Sequence, residues 1–135
     1  MREDGDILLS LVAEIDGEVV GQVTLSEASV GGSEGWIGLG PIAVTPARYH
    51  QGIGGAMIRA SLDWARERGA AGVVLTGADT YYPRFGFESG EVSYLTTPTR
   101  FTMRHVLNGP PASGEIVFCW RAAGSGIMSA HGLRL

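Results

Sequence analysis

The chain has 135 residues and a mass of 14.2 kDa, room for one domain and too little for two. With 44% apolar and 18% charged residues, it has the composition of a folded globular protein, not of a disordered one. The net charge of −4 gives bulk electrostatics no reason to attract nucleic acid, one cysteine excludes an internal disulfide framework, and no apolar run approaches the ~20 residues that cross a bilayer.

The opening Met-Arg-Glu-Asp-Gly-Asp is acidic and lacks the form of a signal peptide, so a cytoplasmic location is expected. Residues 7–15 are strongly apolar and predict a strand. Asp16-Gly17 follows, the favoured two-residue type I′ hairpin signal. Residues 18–27 alternate, with Val19, Gly21, Val23 and Leu25 on one side and Val20, Gln22, Thr24 and Ser26 on the other. A Gly-rich stretch, 31–35, reads as a flexible link to a third strand, 36–44, which carries Gly38, Gly40 and Pro41. Pro removes a ladder donor and Gly favours a bulge, so this strand is expected to break or splay near Gly40-Pro41.

A loop over 46–52 leads into a predicted helix over 53–68, with Ile53, Met57, Ala60 and Trp64 at helical spacing. Arg66 and Arg68 suit its last turn, and Gly69 is the stop. Residues 72–76 form a short β-branched run that predicts a buried parallel strand, completing a β-α-β unit. A helical turn is expected to start at Asp79 or Thr80, with Asp79 as its cap, and to end near Gly86. Two more strands are predicted at about 100–107 and 115–121, and the domain is placed at 1–123. The remainder, 124–135, is poorly patterned and reads as a loose tail. Trp36, Trp64, Cys119 and His105 are expected to be packing residues, and the three scattered histidines form no metal motif.

Glycine makes up 21 of 135 residues, and its densest cluster, Gly52, Gly54 and Gly55, lies where a strand meets a helix. The first N–H groups of a helix lack internal acceptors and carry partial positive charge, so they bind phosphate. Glycine lets the phosphate approach. The same glycines also suit a tight strand-to-helix turn with no ligand. The spacing is neither a dinucleotide-binding fingerprint nor a P-loop, since the third glycine and the Gly-Lys-Ser/Thr are missing.

The run Ile42-Ala43-Val44-Thr45-Pro46, followed by Gln51-Gly52-Ile53-Gly54-Gly55-Ala56-Met57, resembles motif A of the GNAT superfamily of N-acetyltransferases. About 30 residues on, Tyr82-Pro83-Arg84-Phe85-Gly86-Phe87 resembles the segment that closes the acyl-CoA site there. Thr76-Gly77-Ala78-Asp79-Thr80-Tyr81-Tyr82 is similar to the Gly-Asp-Pro-Ala-Tyr-Tyr of a bacterial branch of that family. The resemblance covers roughly residues 8–121. It implies an α/β (α+β) fold: a mixed, mostly antiparallel sheet with one splayed parallel strand pair and a crossover helix. It implies acetyl-CoA as co-substrate, with no metal. Pantetheine would pair with Ile42, Ala43 and Val44, and the pyrophosphate would sit on amides of Gln51, Gly52, Ile53, Gly54 and Gly55. The family pattern begins at Tyr49 with a different residue type, and Arg48 stands one position away to contact phosphate instead.

Tyr82 occupies the family's general-acid position, four residues before Gly86; a positioned O–H protonates the thiolate that acyl transfer expels. Glu27 and Glu34 are the candidate bases, with an idle surface glutamate as the alternative for each. The implied activity is acetyl transfer from acetyl-CoA to a primary amine, small-molecule or peptide, by direct attack; the alternative is an inactive or weak acyl-CoA-binding relative. Only six residues precede Ile7, so the strand and helices that usually open the family are expected to be absent. Apolar surface on the first strands is then expected to be bare unless a second copy or the C-terminal tail, folding back, covers it, and a homodimer is the favoured cover.

Overall fold

The computed structural model describes residues 7–118 and 130–134, with side chains over 9–118. Strands β1 (Ile7–Ile15) and β2 (Glu18–Val30) form an antiparallel hairpin. Asp16 and Gly17 both take positive φ, 53° and 83°, as a type I′ turn demands. A bulge lies between the pairs Ala13–Gly21 and Glu14–Val19 and inserts Val20 as an extra residue. It reverses the predicted alternation at that end. Val20 is 1% exposed, whereas Val19 is 52% exposed.

The predicted link over 31–35 is instead a tight turn. Gly31 and Gly32 both have positive φ, and β3 (Ser33–Val44) begins at once, antiparallel to β2. Near Gly40-Pro41 the strand carries a bulge and does not break: Leu25 pairs with Leu39, yet Val23 pairs with Ile42. Helix α1 (Ile53–Glu67) follows and buries Ile53, Met57, Ile58, Leu62 and Ala65. The stripe is shifted from the predicted one. Ala60 and Trp64 are only half-buried at its edge, with the Arg68 guanidinium 4.7 Å from the Trp64 ring centre. At the helix end, Gly69 (φ 75°) donates its N–H to the Arg66 carbonyl.

β4 (Gly72–Thr76) runs parallel to β3, and β5 (Glu88–Ser89), β6 (Val92–Ser93), β7 (Thr102–Val106) and β8 (Gly114–Phe118) follow. The strand order is β5-β7-β4-β3-β2-β1-β9, with β8 on the end of β2 beyond β1. β9 (Ala130–Arg134) pairs in parallel with Ser10–Glu14 of β1. The expectation of a loose tail over 124–135 is therefore corrected for 130–134, where a sheet edge supplies backbone partners that composition does not reveal; 124–129 and Cys119 lie outside the described residues. The sheet is mostly antiparallel. The parallel pairs among the described residues are β3–β4, β1–β9 and β6–β8, two more than expected.

Two cores flank the sheet. Val23, Leu25, Leu39, Val73 and Leu75 pack under α1. Trp36, Val74, Val30 and Ile116 form a second cluster. Leu9, Leu11 and Ala13 of β1 are 2%, 7% and 0% exposed within one chain. Of the apolar side chains expected to be bare on the first strands, these three of β1 are covered within one chain, whereas Val19 of β2 stays 52% exposed.

Candidate active site

The β3–β4 ladder holds only at Trp36–Gly72, Ile37–Val73 and Gly38–Val74. Beyond Gly38 the strands part. Leu39 to Val44 stay with β2, while Leu75 and Thr76 stay with β7 at Met103 and Thr102. This is the splayed pair, and among the described residues no strand fills the gap. The bulge at Gly40-Pro41 bends β3 away from β4 at this point.

Past Val44, the Thr45 N–H donates to Val20 O at 2.8 Å, and Pro46–Arg48 makes one 3₁₀ turn. His50 (φ 65°) and Gly52 (φ 82°) are both left-handed, which turns the chain into α1 with Gly52 as its N-cap. The first intrahelical donor is Ala56, 3.0 Å from Gly52 O. The N–H groups of Ile53, Gly54 and Gly55 are therefore directed out of the helix end. They face a cleft of about 500 Å³. A Cβ on Gly54 would lie 3.4 Å from the Tyr81 hydroxyl; one on Gly55 would lie 3.3 Å from Phe85 Cζ. The glycines bring the opposite wall close to the helix end.

That wall is the segment Tyr81 to Phe85, including the 3₁₀ turn Tyr82–Phe85. Tyr81 and Phe85 meet edge to face at 5.3 Å. Arg84 lies over Tyr81, 4.8 Å from its centre, and its Nε donates to Tyr81 O at 3.0 Å. Arg59, one helical turn past Gly55, lies 5.2 Å from the centre of Phe85. Arg48 completes a set of three arginines around the cleft, and no carboxylate lines it. The ion pairs among the described residues involve only Arg66 and Arg104, so these three guanidinium groups keep their charge for a ligand.

Of the predicted cofactor residues, Val44, Gly52, Ile53, Gly54 and Gly55 line this cleft. Ile42 and Ala43 lie along the open edge of β3, and Gln51 is exposed beside the loop; none of the three lines the cleft. Ile53 is 3% exposed, so its side chain anchors the helix while its backbone faces outward. The sequence resemblance already implied that the segment holding Arg84 and Phe85 closes the site; sequence reasoning missed Arg59 and the charge that Arg84 brings. Arg59 was legible in principle, since position i+4 from Gly55 shares its helix face.

Tyr82 does not line the cleft either. Its ring lies against Gly77, where any Cβ would collide with it, and meets Phe87 at 6.1 Å and Tyr81 at 5.1 Å. Burial, with the neighbouring Tyr81 phenol adding to it, pushes the Tyr82 hydroxyl above its usual value of 10.0, so it stays protonated at neutral pH. Asp79 does not cap the turn, whose N-cap is Tyr81 without a side-chain bond. Glu27 faces Ile37 across β2–β3, one residue before the ladder opens, while Glu34 is exposed near the start of β3. No group of three or more His, Cys, Asp or Glu among the described residues is placed to hold a metal ion, and none of their helices is long and apolar enough to cross a membrane.

Known proteins resemble this chain in sequence and fold. The chain is 41% identical over 90 residues to the uncharacterized N-acetyltransferase YhbS of Escherichia coli K12, which covers 65% of this chain and 54% of that protein. It therefore spans about half the length of the curated relatives it matches. A GNAT family acetyltransferase from Brucella melitensis, solved in complex with acetyl-CoA, superposes with a TM-score of 0.63 at 38% identity, covering 76% of this chain and 60% of that one. Escherichia coli YhbS, solved with CoA, gives 0.65 at 31% identity, covering 75% and 61%. Residues 2–87 match the family model described as Acetyltransferase (GNAT) family, and with nearly two thirds of its length inside that match the chain belongs to the GNAT acetyltransferase family.

Proposed function

We propose that the protein transfers acetyl from acetyl-CoA to a primary amine by direct attack. The observation that carries this reading is the coincidence of two open backbone edges. The helix end at Gly52–Gly55 offers free N–H groups among three arginines that form no ion pair among the described residues, and β4 leaves the β3 edge beyond Gly38 open. The pyrophosphate suits the amides of Gln51, Gly52, Ile53, Gly54 and Gly55, with Arg48, Arg59 and Arg84 adding charge. The pantetheine amides suit the edge of Ile42, Ala43 and Val44. That likeness to an added strand places the thioester near the point where β3 and β4 part.

There the amine nitrogen attacks the thioester carbonyl carbon, and the carbonyl electrons move to oxygen. Backbone N–H groups of β3 stabilise that oxyanion. Collapse re-forms the carbonyl and breaks the C–S bond; the Tyr82 hydroxyl donates its proton to the departing sulfur. The amine's own proton passes to water or to Glu27, which restores the tyrosine through solvent.

The cleft without a carboxylate favours a second reading, an acyl-CoA-binding protein that does not turn over. One experiment separates them: thiol release from acetyl-CoA with a panel of primary amines, beside the acetyl-CoA-induced rise in melting temperature. Binding with release supports the transferase, binding alone supports the second reading, and no binding refutes both. We read the protein as cytoplasmic and its acceptor as a small molecule or peptide. Oligomeric state is read by light scattering. A dimer there supports the homodimer expected from the sequence, and a stable monomer refutes it.

A further inference from the structure

The turn that carries Tyr82 is fastened from beneath. His105 lies on β7, opposite Val73 of β4, so it belongs to the rigid sheet and not to the turn. Its Nδ1 is 3.0 Å from the Phe85 carbonyl oxygen. A carbonyl only accepts, so the proton must sit on Nδ1. Gly86 closes the turn with φ 91°, and a Cβ built on it would lie 2.7 Å from His105 Cε1 and 2.8 Å from Nδ1. The imidazole thus fills the space that any other residue at position 86 would occupy. Phe87 meets His105 edge to face at 5.4 Å and meets the Tyr82 ring edge to face at 6.1 Å. The ring is held by a hydrogen bond to the residue before Gly86 and by an aromatic contact to the residue after it.

We propose that His105 is a positioning residue for acyl transfer: its Nδ1–H bond to the Phe85 carbonyl and its ring beneath Gly86 fix the 82–86 turn, and so set where the Tyr82 hydroxyl points. This rests on the reading of Tyr82 as the general acid. His105 is not among the residues that line the cleft. Its hydrogen bond holds one end of the turn, and Phe87 transmits the position of the sheet to the phenol. Burial also favours the uncharged ring, so a single proton must choose between the two nitrogens, and the Phe85 carbonyl decides the choice.

The test uses the full chain, acetyl-CoA and thiol release, with hydrolysis of acetyl-CoA as the reaction if no amine from the panel is taken. His105→Phe keeps a ring and removes the donor; His105→Asn keeps an N–H near the Nδ1 position. A displaced acid costs about 10- to 100-fold in kcat, the scale of an ångström of misplacement. The expected result is that loss for His105→Phe, recovery to within about threefold for His105→Asn, and no further loss when His105→Phe is added to Tyr82→Phe. An equal loss in the Tyr82→Phe background overturns the proposal, because the histidine then acts through general stability. An unchanged kcat for Tyr82→Phe alone overturns the general-acid reading, and this proposal with it. A readout independent of activity is the nitrogen NMR of the imidazole: a proton on Nδ1 supports the assignment, and one on Nε2 refutes it even if neither variant folds.

Discussion

Gly54→Ala is expected to stabilise the protein and weaken its cofactor binding, two effects of opposite sign from one methyl group. Gly54 is the second residue of α1 and does not use the left-handed backbone, so alanine adopts its conformation without strain. The added Cβ lies 3.4 Å from the Tyr81 hydroxyl, an ordinary contact. Fewer unfolded conformations then stabilise the fold by about 0.4–1 kcal/mol. For a domain of this size each kcal/mol moves Tm by roughly 3–5 °C, so the free protein should melt about 1–5 °C higher. The same methyl projects from the first turn where phosphate would approach. Acetyl-CoA at about 100 times its Kd adds about 2.7 kcal/mol to the wild type. A tenfold loss of affinity removes about 1.4 kcal/mol of that, so the ligand-induced shift should fall by about half. Differential scanning fluorimetry with and without acetyl-CoA measures both numbers in one plate. Gly54→Val deepens the binding loss. If both variants keep the full ligand-induced shift, the phosphate does not rest on this helix end. Gly52 and Gly55 make poorer probes: Gly52 sits at φ 82°, where a side chain costs about 1–2 kcal/mol, and a Cβ at Gly55 presses on Phe85.

Tyr82→Phe should lower kcat by about 10²–10⁴-fold with little change in acetyl-CoA affinity, and Tyr81→Phe should do the reverse; steady-state kinetics against direct binding reads the contrast. Arg59→Gln and Arg84→Gln should each weaken acetyl-CoA binding by about tenfold at low salt and by less at high salt, as calorimetry at two ionic strengths would record. Burial lowers the His105 pKa below 6.5; the Phe85 carbonyl, the next largest influence, raises it, and Arg66 on α1 lowers it again ahead of a small raising effect from Glu88. The unfolded chain then binds the extra proton first, so stability should fall as pH drops through about 6.5 and level off below the folded pKa. Thermal melts from pH 8 to 5 should show that His105→Asn loses part of this slope; an identical slope would remove His105 as its source.

The fold was legible wherever neighbouring residues decide it. Asp16-Gly17 carries its own turn conformation, and the spacing of Ile53 and Met57 announces a helix with a buried face. What strict alternation could not show is the bulge at Val20, which belongs to the register between two strands and not to either strand alone. β9 was illegible for a similar reason. A five-residue strand on a sheet edge needs backbone partners more than a hydrophobic pattern, and Ser10–Glu14 supplies them.

The site divides along the same line. Its floor is local: Gly52 to Gly55 are consecutive, and their chemistry follows from being at a helix end. Its charge is not local. Arg48, Arg59 and Arg84 are separated along the chain and meet only because the turn after β4 folds back over the start of α1. A net charge of −4 speaks against anion binding when averaged over the whole molecule. Charge acts over a Debye length of about 8 Å, however, and the residues lining the cleft include three arginines and no carboxylate. The local field can therefore oppose the sign of the whole protein. Two of the guanidinium groups rest on aromatic faces, Arg84 on Tyr81 and Arg59 on Phe85, which orients them without neutralising them. A carboxylate partner would have oriented them equally well and cancelled the charge that a phosphate needs. The aromatic residues of the Tyr81–Phe85 segment thus serve the cleft twice, as its wall and as the support that leaves its arginines charged.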